Sequence, residues 1–141
     1  MMRYVALLST VLVLALAAGC SSTPATSSSD PADHITALVV AGRYEDAISA
    51  FLELPPSLNK LSYVRAANAA SLACATLGAL QKDPARQKAF FEEAVRILPD
   101  ITKGKYHVPD SSDFRAEMDT AQAIVRTTIK HLQARAKKGN P

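Results

Sequence analysis

The stretch LNKLSYVRAANAASLACATLGAL at residues 58–80 decides how the rest of this chain is read. Leu61, Val64, Leu72, Ala75 and Leu80 recur in it at helical spacing, and alanines fill most other directions. A helix that is apolar nearly all round belongs in an interior, and small side chains let its neighbours approach closely. It is therefore expected to be the hub of an all-α fold. Asn68 falls within the apolar line and is expected to be a hydrogen-bonded polar group that fixes helix register. Cys74, inside the run AASLACA at residues 69–75, is expected to pack as a small apolar side chain rather than to react.

Working outward from the hub, helical signals continue on both sides and strand signals are almost absent. Ile35, Leu38 and Val39 mark a short helix closed by Gly42, a residue suited to a left-handed cap. Residues 43–54 form a second helix with Ala47, Ile48, Phe51 and Leu54 inward, ended by Pro55-Pro56. Beyond the hub, Asp83-Pro84 joins an N-cap to a proline at the first helical position, opening a helix to Leu98 with Phe91, Ala94, Val95 and Leu98 inward. Residues 102–111, with Gly104 and Pro109, read as a loop. Asp113 is expected to cap a long last helix whose apolar seam runs Phe114, Met118, Ala121, Val125, Thr128, Leu132, Ala136. Arg135, Lys137 and Lys138 near its end complement the helix dipole and are read as solubilising charge rather than as a docking patch.

The N-terminus has a different character. Arg3 supplies a positive start, and residues 4–18 are apolar apart from Ser9 and Thr10. That core has the length of a cleaved signal peptide and falls short of the roughly 20 residues of a spanning helix. It ends in Leu16-Ala17-Ala18-Gly19-Cys20, which resembles the lipobox of bacterial lipoproteins, with alanine at one position where leucine is commoner. The resemblance implies removal of residues 1–19 and acylation of Cys20, the thiol being the lipid acceptor. An ordinary secretory leader cut near Ala18 or Gly19 is the alternative. Ser21 rather than aspartate follows the cysteine, so the family pattern implies the outer membrane, facing the periplasm. Residues 20–31 then form a Ser/Thr/Pro tether with no apolar side chain larger than alanine. Cys74 would be left without a disulfide partner.

Residues 32–141 are left for a single helical domain. Two of its segments resemble tetratricopeptide repeats: Gly42-Arg43-Tyr44-Glu45-Asp46-Ala47-Ile48-Ser49-Ala50-Phe51 matches the turn and second helix of a repeat. Phe91-Glu92-Glu93-Ala94-Val95-Arg96-Ile97-Leu98-Pro99 matches the end of another. The resemblance covers about half of the domain and implies tetratricopeptide-like hairpins closed by the long C-terminal helix.

Catalytic and metal-binding patterns do not assemble. His34, His107 and His131 are scattered without ligand spacing, and no phosphate loop, nucleophile elbow or His-Glu-x-x-His pair occurs. The formal net charge of +3 has no basic and aromatic stripe behind it, which argues against nucleic acid. The expectation is a non-enzymatic module without cofactor, metal or small-molecule substrate, held to the membrane by lipid on Cys20 and binding an envelope protein through helical surface. The family resemblance implies an accessory, pilotin-like factor of a secretion or pilus machine; an immunity or inhibitor lipoprotein covering a periplasmic toxin or hydrolase is the alternative. The lysine and asparagine pattern by which some repeat domains clamp a terminal carboxylate is not discernible. Tyr63 and Arg65, residue types enriched at binding hot spots, are the candidate contacts.

Cys20→Ala should abolish lipid attachment. Intact mass of the membrane-extracted protein is the readout: the parent carries two or more acyl chains and the variant none.

Overall fold

The computed structural model describes residues 30–139. The expected leader at 1–19, Cys20 and the tether up to residue 29 lie outside these residues. The described residues are all-α, built from α1 (Pro31–Val40), α2 (Tyr44–Leu52), α3 (Lys60–Leu80), α4 (Pro84–Ile97) and α5 (Arg115–Gly139), with a 3-10 turn at Gly104–Tyr106 before the last helix.

Each start has a local cause. Asp30 accepts the amide of Ala32 at 3.0 Å and Pro31 occupies the first turn of α1. The last two residues read as tether are thus the cap and first residue of a helix: Asp30-Pro31 after three serines has linker composition, and the same dipeptide is a helix start. Between α1 and α2, Gly42 takes φ +74, and the amide of Arg43 reaches back to the carbonyl of Leu38 at 2.9 Å. That geometry closes a helix through a left-handed residue, which glycine adopts without strain. Pro55 and Pro56 follow α2, Asn59 caps α3 by accepting the amide of Ser62 at 2.9 Å, and Asp83 caps α4 through the amides of Ala85 and Arg86. At α5 the oxygen that receives an N–H is that of Ser112, which takes the amide of Phe114 at 3.3 Å, not the expected Asp113.

α3 packs against all four other helices. Ala66, Ala67, Ala70, Ala73 and Ala75 are wholly buried, as is Ser71, whose hydroxyl donates across to the Ala94 carbonyl in α4. Contact with α4 is close enough that a Cβ on Gly78 would lie 3.1 Å from Cβ of Phe90. Small side chains are a requirement of this packing. The main core joins α3 to Ile35, Leu38, Val39, Phe51, Phe91, Ile97, Val125, Ile129 and Leu132; a smaller one gathers Val64, Ile101, Val108 and Met118.

Two expected inward positions differ. Val95 is half exposed, because α4 touches α3 along a narrow stripe of Phe91, Ala94 and Ile97. Phe114 precedes α5 and is also half exposed, while the buried seam runs Met118, Gln122, Val125, Ile129, Leu132. Gln122 enters that seam because its amide donates to the Pro99 carbonyl at 3.0 Å, which removes the cost of burying it. Asn68 is buried, but its Oδ1 has no hydrogen-bond partner; the neighbours one turn away, Val64 and Leu72, offer no donor.

Ala73→Leu should cost about 1–3 kcal/mol by overpacking, lowering the melting temperature by roughly 5–15 °C in a domain of this size. Ala123→Leu, on the exposed face of α5, should leave it within a few degrees. Thermal unfolding followed by circular dichroism compares the two directly.

Candidate functional site

Tyr63 and Arg65 stand two residues apart on α3, so their side chains leave the helix about 200° apart. The structure does not bring them together. The Arg65 guanidinium meets Asp30 at 3.1 Å and Asp33 at 2.7 Å, and the Ser62 hydroxyl donates to Asp30 at 2.8 Å. Asn59 completes the group by donating to the Ser62 oxygen at 2.9 Å. This network fastens the start of α1 to the N-terminal end of α3. Arg65 is about a third exposed, so solvent screening limits each ion pair to a fraction of about 1 kcal/mol.

Tyr63 points to the other side, into an aromatic stack. Its ring lies 5.6 Å from that of Phe51, tilted at 48°, and 4.4 Å from that of Tyr106 with planes only 8° apart. Burial, and then the neighbouring Tyr106 hydroxyl, push the Tyr63 phenol up to about 12. Beside this pair opens a cleft of about 180 Å³, with Leu54, Pro55, Pro56 and Leu58 as its apolar lining and Lys60 and Lys105 as its cations.

Each wall of the cleft has a sequence cause. Pro55-Pro56 stops α2 and turns the chain, the amide of Leu58 closing on the Pro55 carbonyl at 3.0 Å. Lys60 is the first residue of α3 and donates to the His107 carbonyl at 2.7 Å, drawing the 100–114 segment over the helix end. Gly104 at φ +69 opens the 3-10 turn that delivers Lys105 and Tyr106. Lys105 Nζ sits 5.4 Å from the Tyr106 ring centroid. Arg115, 15% exposed, holds the segment from beneath: its guanidinium donates to the carbonyls of Ile101 and Val108 and pairs with Asp119 at 2.9 Å and Asp110 at 3.1 Å. The expected loop at 102–111 is thus a braced element, with Ile101 and Val108 buried in the smaller core.

Of the two residues singled out in the sequence, Tyr63 lines this cleft and Arg65 does not; Tyr106, Lys60 and Lys105, which line it with Tyr63, and Arg115, which braces it, were not singled out. One signal was available for Arg115. A cation in the first turn of a helix opposes the dipole, and such a residue usually has another partner.

A second, shallower depression of about 560 Å³ lies against Gln81, Arg86, Ala89, Phe90 and Glu93. Its charges are mixed, and Glu93 is engaged by Arg96, which holds its carboxyl below the usual range. Among the described residues no group of three or more His, Cys, Asp or Glu side chains is placed to hold a metal ion, and no helix is long and apolar enough to cross a membrane. Comparison with known proteins gave no matching family model, no matching curated protein and no matching solved structure.

Cys74 is 1% exposed, and burial, helped by Glu93, pushes its thiol up to about 11. At pH 8 the thiolate fraction is then about one in a thousand, against roughly a quarter for a free thiol. Labelling by a disulfide reagent at pH 8 should be at least about 100-fold slower than for free cysteine and become immediate in denaturant.

Proposed function

We propose that this protein is a lipid-anchored envelope protein, acylated on Cys20 at the periplasmic face of the outer membrane, whose helical domain binds a protein partner at the Tyr63–Tyr106 cleft. The observation that carries the binding part is the cleft itself. Two stacked tyrosines, a proline pair and two lysines not paired with carboxylates among the described residues form a half-apolar, half-cationic recess on a braced scaffold. Aromatic rings held rigid by packing bind at low entropic cost, which suits a contact site better than a mobile loop would. The leader and the lipobox-like Leu16-Ala17-Ala18-Gly19-Cys20 support the anchoring part.

The site moves the expected contact away from Arg65, whose guanidinium is occupied by Asp30 and Asp33. It keeps Tyr63. The all-α fold and the segments that resemble tetratricopeptide repeats support an accessory role in an envelope machine, in the manner of a pilotin. That α1 contacts α2 and α3 contacts α4, helices adjacent in sequence, supports the hairpin reading. No acid, base and nucleophile converge in the cleft, which favours binding over chemistry.

The test places a photo-crosslinking amino acid at Leu58, on the cleft lining, and at Ala123, on exposed α5, in the producing bacterium. A discrete adduct with one envelope protein at position 58, absent at 123 and lost with Cys20→Ala, is the expected result. Adducts at neither position, together with hydrolysis of cell-wall fragments by the purified domain, would replace this reading with an enzymatic one.

A further inference from the structure

One carboxylate holds the starts of two helices. Asp30 takes the amide of Ala32 on Oδ1 at 3.0 Å, which caps α1, and the Ser62 hydroxyl on Oδ2 at 2.8 Å. Ser62 Oγ in turn accepts from Asn59 Nδ2 at 2.9 Å, and Asn59 Oδ1 takes the Ser62 amide at 2.9 Å, which caps α3. The α3 cap is thus oriented by a hydroxyl whose proton is committed to Asp30. Ser62 is 6% exposed, so with Asp30 withdrawn that hydroxyl finds little water to replace it.

The same two turns of α3 carry the strap between α4 and α5. Asn59, Ser62 and Arg65, at steps of three, form the side toward Asp30. Lys60, next to the cap, donates to the His107 carbonyl at 2.7 Å; Leu61 and Val64 pack with Ile101, Tyr106 and Val108, and Tyr63 stacks on Tyr106. Arg115 grips the strap at the carbonyls of Ile101 and Val108. Between those two points the turn at Gly104–Tyr106 packs on α3. Helix ends open more readily than helix middles, and fraying of the first turn of α3 takes Lys60 and Leu61 away from the strap.

We propose that Asp30 is a latch between the entry of the chain into the domain and the wall of the cleft. Its carboxylate holds the first turn of α3 closed through Ser62 and Asn59, and that turn holds Lys105 and Tyr106 in place. Residues 1–29 join the domain at this carboxylate, so a displacement of that end acts on Ser62 first and slackens the strap next. Use of the latch to control binding rests on the interaction reading above; the coupling itself is a property of the fold.

The experiment is hydrogen–deuterium exchange of the full chain in detergent, read by mass spectrometry over the strap at 103–109 and over the α3 interior at 67–76. Asp30→Ser keeps an N-cap oxygen for α1 but loses the one that faces Ser62 and Arg65. Ser62→Ala removes the other half of the link and leaves its backbone amide on Asn59. Each should speed exchange of the strap, which includes the bonded amides of His107 and Val108, by at least about tenfold, with the α3 interior changed by less than about threefold. Asp33→Ser, which removes the same charge and the second Arg65 pair, should leave the strap at the parent rate. The double variant Asp30→Ser with Ser62→Ala should match Ser62→Ala alone, because one link is lost once. Strap rates that stay at the parent value, that rise by the same factor as the α3 interior, or that rise as much in Asp33→Ser overturn the latch. An adduct at position 58 without strap coupling removes the latch and leaves the interaction reading; strap coupling with no adduct at 58 in the parent protein leaves the latch and removes that reading.

Discussion

Everything in this domain depends on how closely other helices approach α3. The chain has four phenylalanines, four tyrosines and no tryptophan, so bulk is scarce. Cohesion comes instead from proximity. Interaxial distance is set by the side chains at the contact, and a helix faced with alanine, serine and glycine on most sides allows neighbours near the short limit. Short approach multiplies weak dispersion contacts, which individually are worth only about 0.1–0.2 kcal/mol. It also leaves no slack: Gly78 stands against Phe90 and Ser71 against the Ala94 carbonyl, so α4 has one position along α3.

A buried hub has consequences at its ends. The N-terminal end of α3 has to be covered by something, and two different pieces of chain cover it. On one side Asp30 and Asp33 come down on Ser62 and Arg65. On the other, the segment between α4 and α5 is drawn across by Lys60, Val64 and Arg115. Since Pro55-Pro56 halts α2 before it reaches this region, the gap between α2 and the drawn-over segment stays open. The cleft is that gap. Arg115 and the smaller core brace its walls without lining it.

The helices were legible because each carried both a period and a stop: Gly42, Pro55-Pro56, Asp83-Pro84 and Pro99 are strong punctuation. The hub was legible because no other arrangement buries so many alanines. Less legible was which side of a peripheral helix is inward. In α5, Thr128 and Ile129 are adjacent, and only the packed partner decides that Ile129 is buried; Gln122 joins it through a hydrogen bond to a residue 23 positions away. The cleft was half legible. Tyr63 stood out on the hub, but Tyr106 and Lys105 sit in a polar, glycine-containing stretch whose composition signals a loop, and their arrival at α3 depends on long-range bonds from Lys60 and Arg115 that no local pattern encodes. What Arg65 touches was hidden in the same way. Arg65 looks like an exposed hot spot until Asp30, 35 positions earlier, is seen to hold it.

The two fastenings at the end of α3 also bear on where binding would happen. Asp30 is the point at which the domain joins the residues that precede it, and it is bonded to Ser62; Lys60, two residues earlier on the same helix, lines the cleft. In the proposed reading, with lipid on Cys20, about ten residues separate the anchor from that junction, and covalent geometry limits such a segment to at most about 35 Å. The cleft then works within a few tens of ångströms of the membrane. Local concentration follows from that geometry: a partner that also lies at the membrane meets the cleft in a thin layer, which raises its effective concentration without any further contact. A contact in so small a recess would give little affinity by itself, since it would barely offset the freedom lost on association. In the proposed reading the lipid tether supplies what that contact lacks, so that cleft and leash form one arrangement: the cleft decides what is bound and the anchor makes weak binding sufficient.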